Sequence, residues 1–348
     1  EITIKLVDSG VKEIEVSDNG IGMDEEDAKM AFQRHATSKL KNLDDLFYIE
    51  SLGFRGEALP SIASVSNVRL KTSNGERGTI VTLEGGKNMQ VKPSDLQKGT
   101  TITVSDLFYN TPVRYKFLKQ DATESKYIKN WVEKVALANP NISFKLITDN
   151  KTKFFSNGNG DLFDIIYSIY GKEIKENLIK VDYESEKIKI TGVIGNTLIA
   201  RENRKDQILF LNKRNIKDNA ISNSADQAFK GATGIGKYGF FILNLEMPAN
   251  FYDINAHPTK MEVRFEDESK IYKIFYHAIK NAILSKDFLG NTQNDENNDE
   301  YISNEFDFLT NHFGQEDEEN LDKSVKEKND INMKEEQDVQ TDLSNIEN

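Results

Sequence analysis

The chain has 348 residues, 37% of them hydrophobic and none of them cysteine, and a formal charge of −12. That length suits two domains of ~100–200 residues each, and the lack of cysteine excludes a disulfide framework, a thiol nucleophile and any cysteine-ligated metal centre. No run approaches the ~18 apolar residues of a spanning helix, and the charged opening Glu1 to Asp8 lacks the apolar core of a signal peptide, so the composition predicts a cytoplasmic protein with no membrane partner.

Ile2, Ile4 and Leu6, then Val11, Ile14 and Val16, alternate on either side of Asp8-Ser9-Gly10, the pattern of a hairpin of half-buried strands. Asp24 with Asp27 opens a short helix through Phe32, a variant of the capping box. Strands are predicted at Val68–Thr72, Thr79–Leu83 and Thr100–Val104. Asp121 and Glu124, followed by Tyr127, Ile128, Trp131, Val132 and Val135 at helical spacing, predict a capped helix with that stripe in the core. From about residue 150 the pattern restarts: a helix over Leu162–Tyr170, strands at Lys187–Val193, Gln207–Leu211 and Tyr238–Leu245, then a helix whose apolar face carries Ile271, Ile274, Phe275, Ala278, Ile279 and Ile283. Strands and helices mix without a βαβ repeat, which predicts α+β architecture in both halves, with domains over 1–150 and 151–290.

The charge divides unevenly along this plan. Residues 291–348 hold 18 Asp and Glu against 4 Lys and Arg, a net of −14, leaving 39 acidic and 41 basic residues, a net of +2, in residues 1–290. Nucleic acid therefore stays open as a ligand. The last 58 residues also contain 11 Asn, too polar a composition to offset its ordering entropy, so they predict a disordered acidic linker. Within it Tyr301, Ile302, Phe306, Phe308, Leu309 and Phe313 read either as a docking motif or as a bland apolar patch. A chain that starts without Met and stops in such a linker is expected to be cut at both ends.

Several glycine-bracketed segments carry candidate chemistry. Val16 to Met23 ends a strand in Gly20 and Gly22 before a helix. Asn19-Gly20 suits a plain turn, but the same layout lets Asp18 accept a hydrogen bond from an exocyclic amine while the glycines bring backbone close to a flat ring. Leu52 to Leu59 places Gly53, Phe54, Arg55 and Gly56 ahead of a helix, where N–H groups converge on anions; an ordinary glycine-rich loop has the same composition. Arg34-His35-Ala36-Thr37-Ser38-Lys39 supplies hydroxyls and cations suited to phosphates, as a solvated loop also would. His35, His257, His277 and His312 form no metal-ligand cluster in sequence.

Taken in order, these pieces resemble the GHKL ATPase family and, more closely, its DNA mismatch-repair branch, MutL. The resemblance rests on DNGIGM at 18–23, RHATSK at 34–39, SLGFRGEALPSIASV at 51–65, GTTITVSDLFYNTPVRYKFL at 99–118, FLNKRNIKD at 210–218 and DINAHPTKMEVRF at 253–265. It implies a GHKL (Bergerat) ATPase α/β sandwich followed by a second, transducer-like α/β domain of ribosomal-protein type. It implies ATP and Mg²⁺ as cofactors, with Asp18 on the adenine amino group, Gly20 and Gly22 at the base, Thr37, Ser38 and Lys39 in a lid, Gly53 to Gly56 at the phosphates, Thr100 on the adenine side and Lys260 at the γ-phosphate. The implied partners are a MutS-type mismatch-recognition protein, a second copy in an ATP-gated homodimer, and DNA bound without regard to sequence. For the DNA, Arg114, Lys116, Lys213, Arg214 and Lys217 are the candidate contacts.

This sequence also departs from the family. The family's first motif, with the Glu that orients the attacking water and the Asn that ligates Mg²⁺, lies upstream of the strand at Ile2. This polypeptide is therefore expected not to turn over ATP although its parent does. Lys213 stands where glycine is usual, and Tyr115 where Arg is common. A nucleotide- or DNA-holding scaffold without turnover is the alternative.

Overall fold

The computed structural model describes residues 1–33, 56–96, 98–253 and 263–284. The predicted tail 291–348 lies outside them. The chain divides into two compact units, one of Glu1–Glu176 with Lys213–Asn215, the other of Asn177–Asn212 with the described residues from Ile216 onward.

The first unit runs β1 (Ile2–Val7), β2 (Glu13–Asp18), α1 (Glu25–Met30), α2 (Ala58–Ala63), β3 (Asn67–Ser73), β4 (Gly78–Glu84), β5 (Lys87–Ser94), β6 (Gly99–Ser105), α3 (Pro112–Tyr115), α4 (Asp121–Ala138), β7 (Ser143–Thr148), β8 (Lys151–Asn157), α5 (Leu162–Tyr170) and α6 (Lys172–Glu176). Its strands form one sheet in the order β5-β4-β3-β6-β2-β1-β7-β8. All neighbours are antiparallel except β1 and β7, which are parallel.

Strand period and register together build a single inner face. Directly opposed residues share a face, so Leu83, Val68, Val104 and Ile14 form one row and Val81, Leu70, Ile102 and Val16 the next. Ala28 of α1, Phe32 just beyond it and Ala63 of α2 close over Val68, Leu70, Val81 and Leu83 as a buried cluster with Ile102 and Val104 packed against it, while Val16 at the end of its row stays exposed. Asp24 caps α1 by accepting from the Asp27 N–H at 2.8 Å, as its spacing predicts.

Two expectations are corrected here. The unit boundary falls after Glu176 rather than near 150. The restart seen at 150 is a two-residue hairpin turn: Asp149 and Asn150 both have positive φ, at 48° and 61°, and send β8 back along β7. In α4 the buried residues are Val132, Glu133, Ala136, Leu137 and Ala138, while Tyr127 and Trp131 face solvent. α4 contacts β7 and β8, and its buried side is formed by Val132, Ala136, Leu137 and Ala138 with Glu133 rather than by the aromatics.

The chain continues with β9 (Leu178–Ser185), β10 (Ile188–Gly195), β11 (Gln207–Leu211), β12 (Arg214–Ile216), α7 (Asn219–Phe229), β13 (Phe241–Glu246), β14 (Tyr252–Asp253), β15 (Arg264–Phe265) and α8 (Glu268–Leu284), all in the second unit except Arg214 and Asn215 of β12. Five strands order as β12-β11-β13-β10-β9, with β11 parallel to β13. The apolar face of α8 predicted from its spacing is buried, and α7 packs beside it, with the Ser224 hydroxyl donating to the Tyr272 carbonyl at 2.8 Å. In β10 Gly192 has φ +137°, and a Cβ there would meet the Ile242 carbonyl oxygen of β13 at 2.1 Å, so no other residue fits.

Candidate functional site

The apolar rows of the first sheet end in a polar one. Two residues beyond Leu70, Ile102 and Val16, the same inner face carries Thr79, Thr72, Thr100 and Asp18 in register across β4, β3, β6 and β2. Thr72 is fully buried, Thr79 and Thr100 nearly so, and Asp18 half-buried. Buried hydroxyls at this depth need partners. Thr72 Oγ1 accepts from the Met23 N–H at 2.9 Å and donates to the Gly99 carbonyl at 3.2 Å, so the Thr100 hydroxyl, 3.0 Å away, is the donor of that pair because Thr72 has only one hydrogen.

The loop after β2 is drawn onto the end of β3. Gly22 has φ +68°, and a Cβ on it would lie 1.8 Å from the Ser73 carbonyl oxygen, so both its backbone angle and the closeness of its neighbour require glycine. The Gly20 N–H donates to Asp18 Oδ1 at 2.8 Å and fixes the carboxylate at the strand end. Among the described residues Oδ2 has no hydrogen-bond partner. The result is a flat, glycine-lined floor with an oriented carboxylate acceptor at one edge and hydroxyls along the other.

Asp18, Gly20, Gly22 and Thr100 are thus brought together. Gly56, with φ +62°, precedes Glu57 and the six-residue α2. Thr37, Ser38, Lys39, Gly53, Phe54, Arg55 and Lys260 lie outside the described residues. Sequence reasoning missed Thr72, whose signal was a hydroxyl in the apolar phase of Val68 and Leu70. Gly99, which opens the 99–118 motif, is held against the strand end: a Cβ on it would sit 2.2 Å from the Asp18 carbonyl oxygen.

The geometry fits the adenine end of a nucleotide. Mg²⁺ differs: among the described residues no group of three or more His, Asp or Glu could hold a metal ion. A shallow cavity of about 470 Å³ lies over Asn67, Arg69, Thr103, Glu84 and Gln90. Asn67 is five residues from Thr72 along β3, roughly 17 Å at the rise of a strand, and none of the residues assigned to the nucleotide lines that cavity.

Of the DNA candidates, Arg114 lies in α3, Lys116 follows it, and both are exposed. Asn212 and Lys213, with φ of 46° and 67°, are the two central residues of the turn between β11 and β12. Asn212 anchors that turn by donating to the Met247 carbonyl at 2.8 Å and accepting from the Met247 N–H at 3.1 Å. Arg214 is half-buried and Lys217 exposed.

A mixed sheet with an acidic strand end, a glycine-closed loop and helices over the inner face is the fold of the GHKL ATPases. Two solved structures share it: the N-terminal domain of a DNA repair protein, at TM-score 0.67 and 24% identity over 80% of this chain and 87% of that one, and the Aquifex aeolicus MutL ATPase domain complexed with ADP, at TM-score 0.53 and 20% identity over 79% and 88%. A family model described as the DNA mismatch repair protein, C-terminal domain, matches residues 166–284. The DNA mismatch repair protein MutL of Caldanaerobacter subterraneus subsp. tengcongensis is 41% identical over 290 residues, which is 83% of this chain and 49% of that protein. The chain belongs to the MutL family and matches its N-terminal region. It spans about half the length of the curated relatives it matches.

Proposed function

We propose that the chain is the nucleotide-responsive part of a MutL-type DNA mismatch repair factor, an ATPase whose nucleotide state governs dimerisation, DNA binding and the passage from mismatch recognition by a MutS-type partner to strand removal. The observation that carries the reading is the row Asp18, Thr100 and Thr72 with Gly22 closed against Ser73. An adenine lying on that floor donates its exocyclic N–H to the Asp18 carboxylate, whereas guanine presents a carbonyl oxygen there, a repulsive and unsatisfied contact. Thr37, Ser38 and Lys39 would close over the phosphates, Gly53 to Gly56 would present backbone N–H groups to them, and Lys260 would neutralise the γ-phosphate. With the first unit, chiefly Glu1–Glu176, as the ATPase domain and the second as the transducer-like one, Lys260 would report the nucleotide to the second domain. DNA is held through its phosphates by Arg114, Lys116, Lys213, Arg214 and Lys217.

Equilibrium binding of a fluorescent ATP analogue to the 348-residue chain tests the site. A hydrogen bond to a charged partner is worth about 1.5–3 kcal/mol, so Asp18→Ala should weaken binding by ~10–100-fold, and unlabelled ATP should displace the analogue far better than GTP. Equal affinity of the Asp18→Ala and unaltered chains, or equal competition by GTP, would overturn the assignment.

A further inference from the structure

Pro112 to Phe117 are six consecutive exposed residues, and they lead directly into the outward aromatic face of α4. Phe117 is 79% exposed, Trp131 67%, Tyr127 52% and Tyr115 51%, which is unusual for large apolar side chains gathered in so short a stretch. Tyr127 and Trp131 are one helical turn apart and share a face. Cations are interleaved with the rings: Arg114 and Lys116 alternate with Tyr115 and Phe117, and the Lys119 ammonium lies 4.7 Å from the Tyr127 ring centre while donating to its hydroxyl at 3.0 Å.

The complement of this surface is written later in the same chain. Between Asp295 and Glu319 there are ten carboxylates and no Lys or Arg, with Tyr301, Phe306, Phe308 and Phe313 spaced among them. Aromatic–acidic sequence opposite aromatic–basic surface offers ring stacking, cation–π contact and charge pairing at once. Residues 285–298 separate this segment from the end of α8 and can extend to roughly 50 Å.

We propose that residues 299–319 dock in cis on the α3–α4 surface, cover Tyr127 and Trp131, and compete there with nucleic acid for Arg114 and Lys116. The segment is then a built-in electrostatic mimic of the phosphate backbone, displaced when DNA presents a denser array of charge. The competition rests on the DNA reading above, whereas the docking does not.

Trp131 is the chain's single tryptophan, so its emission reports the docking without any nucleic acid. In the full chain it should be blue-shifted and shielded from acrylamide; Phe306→Ser with Phe308→Ser should red-shift it and raise the quenching constant about twofold, as expected when a ring two-thirds exposed loses its cover. High salt should produce the same change in the unaltered chain. Identical emission and quenching in the two proteins would overturn the docking. A signal that grows with protein concentration would overturn the cis arrangement in favour of a second copy. Single-stranded oligonucleotide should bind the double variant more tightly, and equal affinity alongside a confirmed Trp131 change would overturn only the competition.

Discussion

Two backbone angles of nearly equal value have opposite consequences for substitution. Gly22, at φ +68°, is pressed against the Ser73 carbonyl, so Gly22→Ala adds left-handed strain to a contact with backbone that cannot step aside. The loop must leave the end of β3, taking with it the Met23 N–H that Thr72 accepts. We expect a loss of more than about 2 kcal/mol in denaturant unfolding, together with loss of nucleotide binding. Unchanged stability would mean that the loop does not seat as described. Lys213, at φ +67°, is the reverse case: it is exposed, at the second central position of a tight turn where glycine is the favoured residue. Lys213→Gly should stabilise by about 0.5–1 kcal/mol while weakening DNA binding through the lost charge. A destabilised Lys213→Gly protein would show that the lysine's own contacts outweigh its backbone strain.

The α5–α6 corner is fixed by a charge pair whose pH behaviour follows from its geometry. Lys175 Nζ lies 2.9 Å from Asp164 Oδ1. The hydrogen bond from Lys175, with help from Asn159, holds the Asp164 carboxyl below the usual carboxylate range, and Asp164 in turn holds the Lys175 ammonium above its ordinary value. A depressed carboxyl stabilises above its unfolded pKa and ceases to as pH falls through its folded value; a raised ammonium stabilises below its unfolded pKa and ceases to as pH rises through its folded one. The difference in unfolding midpoint between the unaltered chain and Asp164→Asn should therefore be largest near neutrality and shrink at both extremes; a difference that grows on acidification would refute the pair. Legibility from sequence also varied with surroundings. The first hairpin, α1 and the buried face of α8 could be read because one face of each is apolar. β5 could not: it is an edge strand, KNMQVKPS, exposed along most of its length and so without alternation. α7 was missed although Asp218 caps it by accepting from the Ile221 N–H at 2.8 Å, because Asn and Ser in its body mask the spacing of Ile221, Ala225 and Ala228. At the site Asp18, Gly22 and Thr100 were legible as motif, but Thr72 became visible only through the register that sets it beside them.

The proposed DNA affinity depends on how charge is apportioned along the chain. With a net of +2 over residues 1–290, attraction to a polyanion cannot come from the overall field and must come from a local cluster, opposed by the −14 carried in residues 291–348. No base-reading element accompanies the five nominated cations, so binding should be indifferent to sequence and steeply dependent on salt. Each neutralised phosphate adds about −0.9 to the log–log slope on duplex DNA, so five contacts bound that slope near −4.5. Arg114→Glu with Lys116→Glu, both exposed, should flatten it by about 2 units and weaken binding at low salt, leaving the unfolding midpoint and ATP-analogue affinity unchanged. Shortening the chain to residues 1–290 should strengthen binding at low salt, and the gain should fade as salt screens the tail's carboxylates over a Debye length of ~10 Å at 0.1 M. A slope untouched by the charge reversals would move the DNA path elsewhere on the protein. A gain that persists at high salt would mean that residues 291–348 oppose DNA by occupying space rather than by their charge.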